Sequence, residues 1–322
     1  MSYPLRFYRI AVRKPWADTR LAGLYPELAD ELPPGTGESI ELADLPGQSS
    51  VVANGVWRGK TIRELMTAHR AELLGELADG NDLPDFPLAV KLLDTAQPLS
   101  IQDHPGDERE NGRLVKRGKS ECWIVLDAAP DAVIYQGLKT GVTPQQFQQA
   151  LQAGDPPALL NARPVKAGDY IYNEAGMVHA VGGGLALLEV QQNCATTWRL
   201  WDFPRDKPRE MHVQAGLEAA RLDLQPRPAQ ECAGDDVLLQ PDGPFGVRSL
   251  RVKKGRLIEK DWPGCSLFTC LHGACELAGR ERDNLQPARL KAGDTVLFPE
   301  GFHEFEVYPN GGAWLVLSWA RE

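Results

Sequence analysis

The 322 residues, 43% apolar and 25% charged, suffice for one large β-domain or two ordinary domains and exclude disorder or a fibrous repeat. A formal charge of −9 argues against a nucleic-acid partner, which needs a basic face, but leaves a small anionic substrate open because local cations dominate inside a cleft. The stretch from Met1 to Arg6 has no basic segment leading into an apolar run, and nothing later approaches the roughly 18 unbroken apolar residues of a membrane span. A cytoplasmic chain with no membrane partner is the expectation.

In chain order, apolar spacing at Ile62, Leu65, Met66 and Leu73 predicts a helix over Thr61–Leu77. Short strands follow at Phe86–Leu93, Cys122–Leu126 and Ala132–Tyr135, then a helix at Pro144–Leu151 and strands at Asp169–Tyr172 and Leu185–Val190. A last helix covers Val213–Ala220, and the Pro-rich Leu224–Pro228 reads as a linker dividing 1–222 from 223–322. Beyond it, strands are predicted at Val237–Leu239, Gly246–Val252, Cys265–Leu271, Thr295–Phe298 and Ala313–Trp319. Many short strands between turns argue for a mainly β sandwich or barrel with a few short helices.

The six cysteines form no C-x-x-C pair, so they are expected reduced, with Cys265, Cys270 and Cys275 at buried strand positions rather than in a metal site. Lys91, Arg113, Lys116, Arg117, Lys119, Arg199 and Arg205 supply local cations, of which Arg113 to Arg117 read as solvated.

Val165-Lys166-Ala167-Gly168-Asp169-Tyr170 is echoed 125 residues later by Leu290-Lys291-Ala292-Gly293-Asp294-Thr295. Each copy runs through a strand to a glycine and a histidine, His179 or His303, then a Gly-Gly turn and an apolar strand. Duplication is the economical reading. The repeated unit resembles the second half-motif of the cupin family, which implies two cupin-like jelly-roll units, a bicupin. Only the first copy has a full donor set, so the second is expected to be structural, with His303 a strand-end side chain.

Gln102 and His104, two positions apart, share one strand face with Ser100, and Pro105 ends the strand at a barrel mouth. Glu121 opens an apolar strand and His179 closes a loop. Two imidazoles, a carboxylate and an amide oxygen can hold a borderline divalent ion such as zinc without thiolate.

Leu88 to Pro105, running LAVKLLDTAQPLSIQDHP, is similar to the metal-binding segment of type I mannose-6-phosphate isomerases. Gly118 to Trp123 (GKSECW), Ala175 to Ala180 (AGMVHA), Leu188 to Asn193 (LEVQQN) and Thr196 to Asp202 (TTWRLWD) follow that family's later blocks in order, with weaker matches at Gly37–Ser39 and Ser50–Gly55. The resemblance spans roughly residues 4 to 220 and fits the short bacterial branch. It implies one zinc ion held by Gln102, His104, Glu121 and His179, with Arg199 as the active-site arginine and Lys91, Lys119, Ser100 and Arg199 around the sugar phosphate.

The implied reaction interconverts mannose 6-phosphate and fructose 6-phosphate through a cis-enediolate. A dication beside Lys119 makes its neutral amine accessible as the base, with a glutamate or a hydroxide on the metal as alternatives. The chain departs from the family's pattern at Ala195 (usually aspartate), Asp103 (valine), Glu174 (proline) and Ile40 (tryptophan), and Trp16–Leu21 loses a pair of glycines. Competing readings are a glucose-6-phosphate isomerase, a non-haem iron oxygenase and a non-catalytic sugar-binding cupin. A bland alternative pairs Arg199 with Asp202. A monomer or weak dimer is expected.

Overall fold

Two antiparallel sheets carry the amino-terminal part of the chain in the computed structural model, which describes residues 3–80, 83–281 and 284–321. Met1 and Ser2, part of the stretch read for targeting, lie outside the described residues. The first sheet runs Ile10–Arg13, Thr36–Leu42, Leu88–Thr95, Leu185–Gln192, Glu121–Ala128, Asp169–Asn173 and Gln230–Glu231. The second runs Leu160–Pro164, Val133–Leu138, His179–Val181, Ile101–Asp103 and Trp198–Trp201.

Strand alternation sorts the first sheet's side chains into two cores. Leu93, Trp123, Val125, Leu185 and Leu187 pack inward with Ile134 and Val181 of the second sheet. Leu88, Val90, Leu92, Ile124 and Leu188 point the other way and share a core with Leu239, Phe245, Val247, Leu267, Leu297 and Val316 of the carboxy-terminal sheet. Both faces are covered, so these strands read as continuous apolar runs rather than as an alternating pattern. On the outer face of the second sheet, Ile101, Leu138, Ala180 and Leu200 pack with Phe147 of the Pro144–Ala153 helix and Leu217 of the Val213–Ala219 helix.

The helices begin where local chemistry dictates. Thr61 and Glu64 form a capping box at Ile62–Leu74, as Thr143 and Gln146 do at Pro144–Ala153. The predicted extension of the first helix to Leu77 fails because Gly75, at φ 57°, ends it.

The carboxy-terminal sheet corrects two short strands. All but Cys265 of the predicted Cys265–Leu271 opens a 16-residue strand, Ser266–Glu281, and Ala313–Trp319 lies near the end of a 17-residue strand, Glu304–Ala320. Gly311 and Gly312, expected as a turn, lie inside the second strand at positive φ, and Gly273 does the same beside register shifts in the first. These are bulges that bend paired strands without ending them. The bent sheet wraps a core of Trp262, Phe268, Phe298, Phe302 and Phe305.

Phe305 is fully buried, with ring centroids 4.9 Å from Phe268 and 5.2 Å from Phe298. Phe305→Ala is expected to lower the unfolding free energy by about 3–5 kcal/mol, read from denaturant melts, because the surrounding rings cannot collapse into the hole.

The echoed segments adopt the same turn. Gly168 and Gly293 have φ of 92° and 88°, and the following aspartates accept from the backbone N–H of Lys166 (2.9 Å) and Lys291 (3.1 Å). His303 is exposed at the edge of its strand. After the irregular stretch 224–229, Gln230–Glu231 pairs back onto Asp169–Tyr170, and Leu5 bridges to Leu297.

Candidate active site

One row across the second sheet places Gln136, His179, Gln102 and Arg199 side by side, and one across the first sheet places Asn173, Glu121, Gln191 and Ala89. The residues expected as ligands therefore come from both walls of the sandwich. His104 follows the Ile101–Asp103 strand directly, Glu121 opens its strand, and His179 begins a strand rather than ending a loop.

Each histidine is oriented through its far nitrogen. His104 Nδ1 lies 3.0 Å from the Thr196 carbonyl and His179 Nδ1 lies 2.8 Å from the Met177 carbonyl. A carbonyl only accepts, so both rings carry the proton on Nδ1 and turn an Nε2 lone pair inward. Burial and then the charge of Lys119 push His104 down to about 3, keeping it neutral.

Glu121 is 1% exposed, with one carboxylate oxygen 2.8 Å from Lys119 Nζ and the other 3.2 Å from His179 Nε2. The first is an ion pair and the second sets an oxygen against the Nε2 lone pair; both oxygens are buried with no hydrogen-bonding partner. Burial opposes the carboxylate, but the charge of Lys119 outweighs it and Glu121 is held well below the usual range.

The ligand atoms of His104, Glu121 and His179 lie within 4.8 Å of one another. Two inward lone pairs and a buried carboxylate at that separation suit a divalent ion. Gln102 is beside them, its Nε2 3.4 Å from His179 Nε2 and its Oε1 accepting from Ser100 Oγ at 2.9 Å. Half a turn of the amide presents oxygen instead.

Lys119 Nζ is 3.0 Å from His104 Nε2, so this lysine faces the donor set. Lys91 faces the same interior and is held by Glu189 (3.1 Å) and Gln191 (2.7 Å). Burial opposes its charge, but Glu189 and Glu38 raise its pKa overall. Glu189 also accepts from Trp123 Nε1 at 3.0 Å. Burial likewise opposes Glu38, yet Lys91 and Lys14 keep its pKa low. Sequence reasoning assigned no role to Glu38, Glu189 or Gln191. For the last two a signal was present, since Glu189 and Gln191 are polar at period two near the end of the otherwise mainly apolar strand Leu185–Gln192.

Arg199 Nε lies 3.3 Å from Ser100 Oγ, and its Nη1 donates to the Glu210 carbonyl. Its suggested pairing with Asp202 does not form: Asp202 binds Arg205 at 3.0 Å and Arg209 at 2.6 Å. Those two guanidiniums lie 5.7 Å and 4.9 Å from the Trp16 ring. Burial, then the charge of Arg209, lowers the pKa of Arg199, an environment in which an anion is welcome.

Asp103 points away from the donors, beside Leu200 and Gly216, with both oxygens unpaired. Burial raises it to about 8, so near neutral pH it is largely an uncharged acid rather than a carboxylate. Arg117, expected to be solvated, is buried and paired with Asp85. Ala195 is exposed and offers no carboxylate.

Residues 32–132 match the family described as phosphomannose isomerase type I, catalytic domain. Mannose-6-phosphate isomerase ManA of Bacillus subtilis is 37% identical over 231 residues, 69% of this chain and 70% of that protein. The probable mannose-6-phosphate isomerase GmuF of the same organism is 31% identical over 321 residues, 95% of this chain and 96% of that protein. The solved structure of the Bacillus subtilis mannose 6-phosphate isomerase superposes with a TM-score of 0.80 at 27% identity, covering 98% of this chain and 99% of that one. A donor set from two facing sheets, a lysine beside it and a relative matching 95% of the chain agree, and the chain belongs to the type I mannose-6-phosphate isomerase family.

Proposed function

We propose that this chain interconverts mannose 6-phosphate and fructose 6-phosphate through a cis-enediolate, with one zinc ion held by Gln102, His104, Glu121 and His179. The observation that carries the reading is Lys119 Nζ, 2.8 Å from Glu121 and 3.0 Å from His104, an amine set among ligand atoms. When bound, the ion would polarise the sugar's carbonyl and adjacent hydroxyl.

The chain's own residues do the rest. Lys119 Nζ, as the amine, takes the C2 proton and delivers it to C1, which geometry allows because one face of a cis-enediolate presents both carbons. Arg199, steadied by Ser100, offers its planar donor fork to the developing oxyanion or the phosphate. Lys91, braced by Glu189 and Gln191, lines the sugar's pocket as a fixed positive charge. His104, Glu121, Lys91 and Lys119 are each no more than 9% exposed, so the charges of Glu121 and Lys91 act with little screening by water.

The division into 1–222, holding the donors, and 223–322 belongs to the same proposal, as does a pair of cupin-like units. The shared apolar core gives the second unit a structural task, covering the outer face of the first sheet. No helix among the described residues is long and apolar enough to cross a membrane. A cytoplasmic monomer or weak dimer completes the reading.

A coupled assay of fructose 6-phosphate formation from mannose 6-phosphate and from glucose 6-phosphate tests it, with chelator and zinc add-back. Activity is expected with the mannose substrate, to vanish on chelation and to return with zinc. Full activity after complete metal removal sinks the metal's role, and turnover of the glucose epimer alone sinks the substrate. A sugar-binding protein without turnover would leave Lys119 facing away from the ligands; its inward position favours catalysis.

A further inference from the structure

Lys119 is held by its backbone as well as by its ammonium group. Its N–H donates to the Pro105 carbonyl at 2.9 Å. The flanking N–H groups of Gly118 and Ser120 are taken by two side chains, Asp107 Oδ1 at 2.8 Å and Gln192 Oε1 at 2.9 Å. Gln192 Nε2 in turn donates to that same Asp107 oxygen at 2.9 Å, which closes the circuit. The Gln192 backbone N–H adds a bond to the Ser120 carbonyl at 3.0 Å.

This circuit joins three separate pieces of the site. Asp107 lies three residues after His104, Gly118–Ser120 leads into Glu121, and Gln192 ends the strand that carries Glu189 and Gln191. The first two pieces also touch backbone to backbone: a Cβ on Gly118 would lie 2.5 Å from the Gly106 carbonyl carbon and 2.6 Å from the Asp107 nitrogen. The anchor is firm. Gln192 is 1% exposed, and its neighbour Asn193 is bonded to the backbone of Asp44 in both directions at 2.9 Å and to the Asp85 carboxylate at 2.9 Å.

We propose that Asp107 and Gln192 are positioning residues for the isomerisation, forming a clamp on the 118–120 backbone that sets where Lys119 Nζ stands relative to the reacting carbons. The proposal rests on the reading of Lys119 as the proton-transferring amine. A long side chain on a freely moving backbone would sample many positions, whereas proton transfer needs heavy atoms within hydrogen-bond reach. The amide of Gln192 is suited to the task because it accepts and donates at once.

The experiment is a mutant cycle on the zinc-loaded full chain. Gln192→Ala is expected to lower kcat by about 10²-fold, the loss typical of a displacement near 1 Å. KM and zinc content should stay near those of the parent. In a Lys119→Gln background the same substitution should cost nothing further, because the clamp acts only through the amine.

Asp107→Ala should mirror Gln192→Ala, while Asp107→Asn, which keeps the accepting oxygen, should recover most of the loss. If Gln192→Ala does not fold, the contrast between the two Asp107 variants carries the test. An unchanged kcat with a lower melting temperature makes the clamp merely structural and overturns the proposal. So does an equal loss in both backgrounds. Full activity of Lys119→Gln alone overturns the base assignment and the clamp's catalytic role with it; inactivity of Lys119→Gln with full activity of Gln192→Ala overturns the clamp alone.

Discussion

His179→Ala is expected to lose bound metal and isomerase activity together. The ring is fixed from two sides, by the Met177 carbonyl at Nδ1 and by the Trp123 and His104 rings at 5.5 Å and 4.9 Å, so its Nε2 is pre-aimed at the donors. Removing it leaves His104, Glu121 and Gln102, a weaker set with one imidazole fewer. Loss of a partner behind a ligand already costs about 10–100-fold in metal affinity. Losing the ligand itself should exceed that, with kcat at saturating mannose phosphate and ordinary zinc falling by at least about 10³-fold. Metal content by atomic emission and the coupled assay check it on the same sample. Full metal content in an inactive variant would mean that His179 acts on substrate rather than on metal. A folded chain is expected, since the ring leaves a hole at the wall of the sandwich and not at the centre of either apolar core.

The proposed donors can be picked out in the sequence because two physical constraints leave marks there. The spacing of two between Gln102 and His104 is that of one strand face, and Pro105 forbids the strand to run on; the strand itself ends at Asp103, one residue before His104. The braces were less legible. Lys91 could be seen as a cation, but its partners Glu189 and Gln191 lie 98 and 100 residues away and become neighbours only through strand pairing. Asp107 and Gln192, 85 residues apart, are of the same kind.

The long carboxy-terminal strands were misjudged for a local reason. Glycine at positive φ serves a turn and a bulge equally, and only the partner strand shows that Gly273 and Gly312 belong to bulges. Arg117 fooled composition in a similar way: it follows exposed Arg113 and Lys116, yet Asp85 on another segment draws it inside.

Arg199→Ala should separate binding of metal from turnover, and this contrast with His179 is what assigns the two roles. Arg199 pairs in register with Gln102, but its side chain goes to Ser100 and the Glu210 carbonyl rather than to the histidines or Glu121. The metal donors therefore lose none of their contacts when it is removed, and metal content should match the parent. Removal of a preorganised cation from a site where negative charge develops costs about 10²–10³-fold in kcat. Arg199→Lys should restore only part of this, since a point charge replaces a planar fork. Arg205 and Arg209 cannot substitute, because Asp202 already engages both. Metal loss in Arg199→Ala would show that Ser100 transmits its position to Gln102 across the 2.9 Å hydrogen bond, making the arginine a support of the metal centre. Full activity would remove it from the reaction and leave Lys91 as the cation that meets the phosphate.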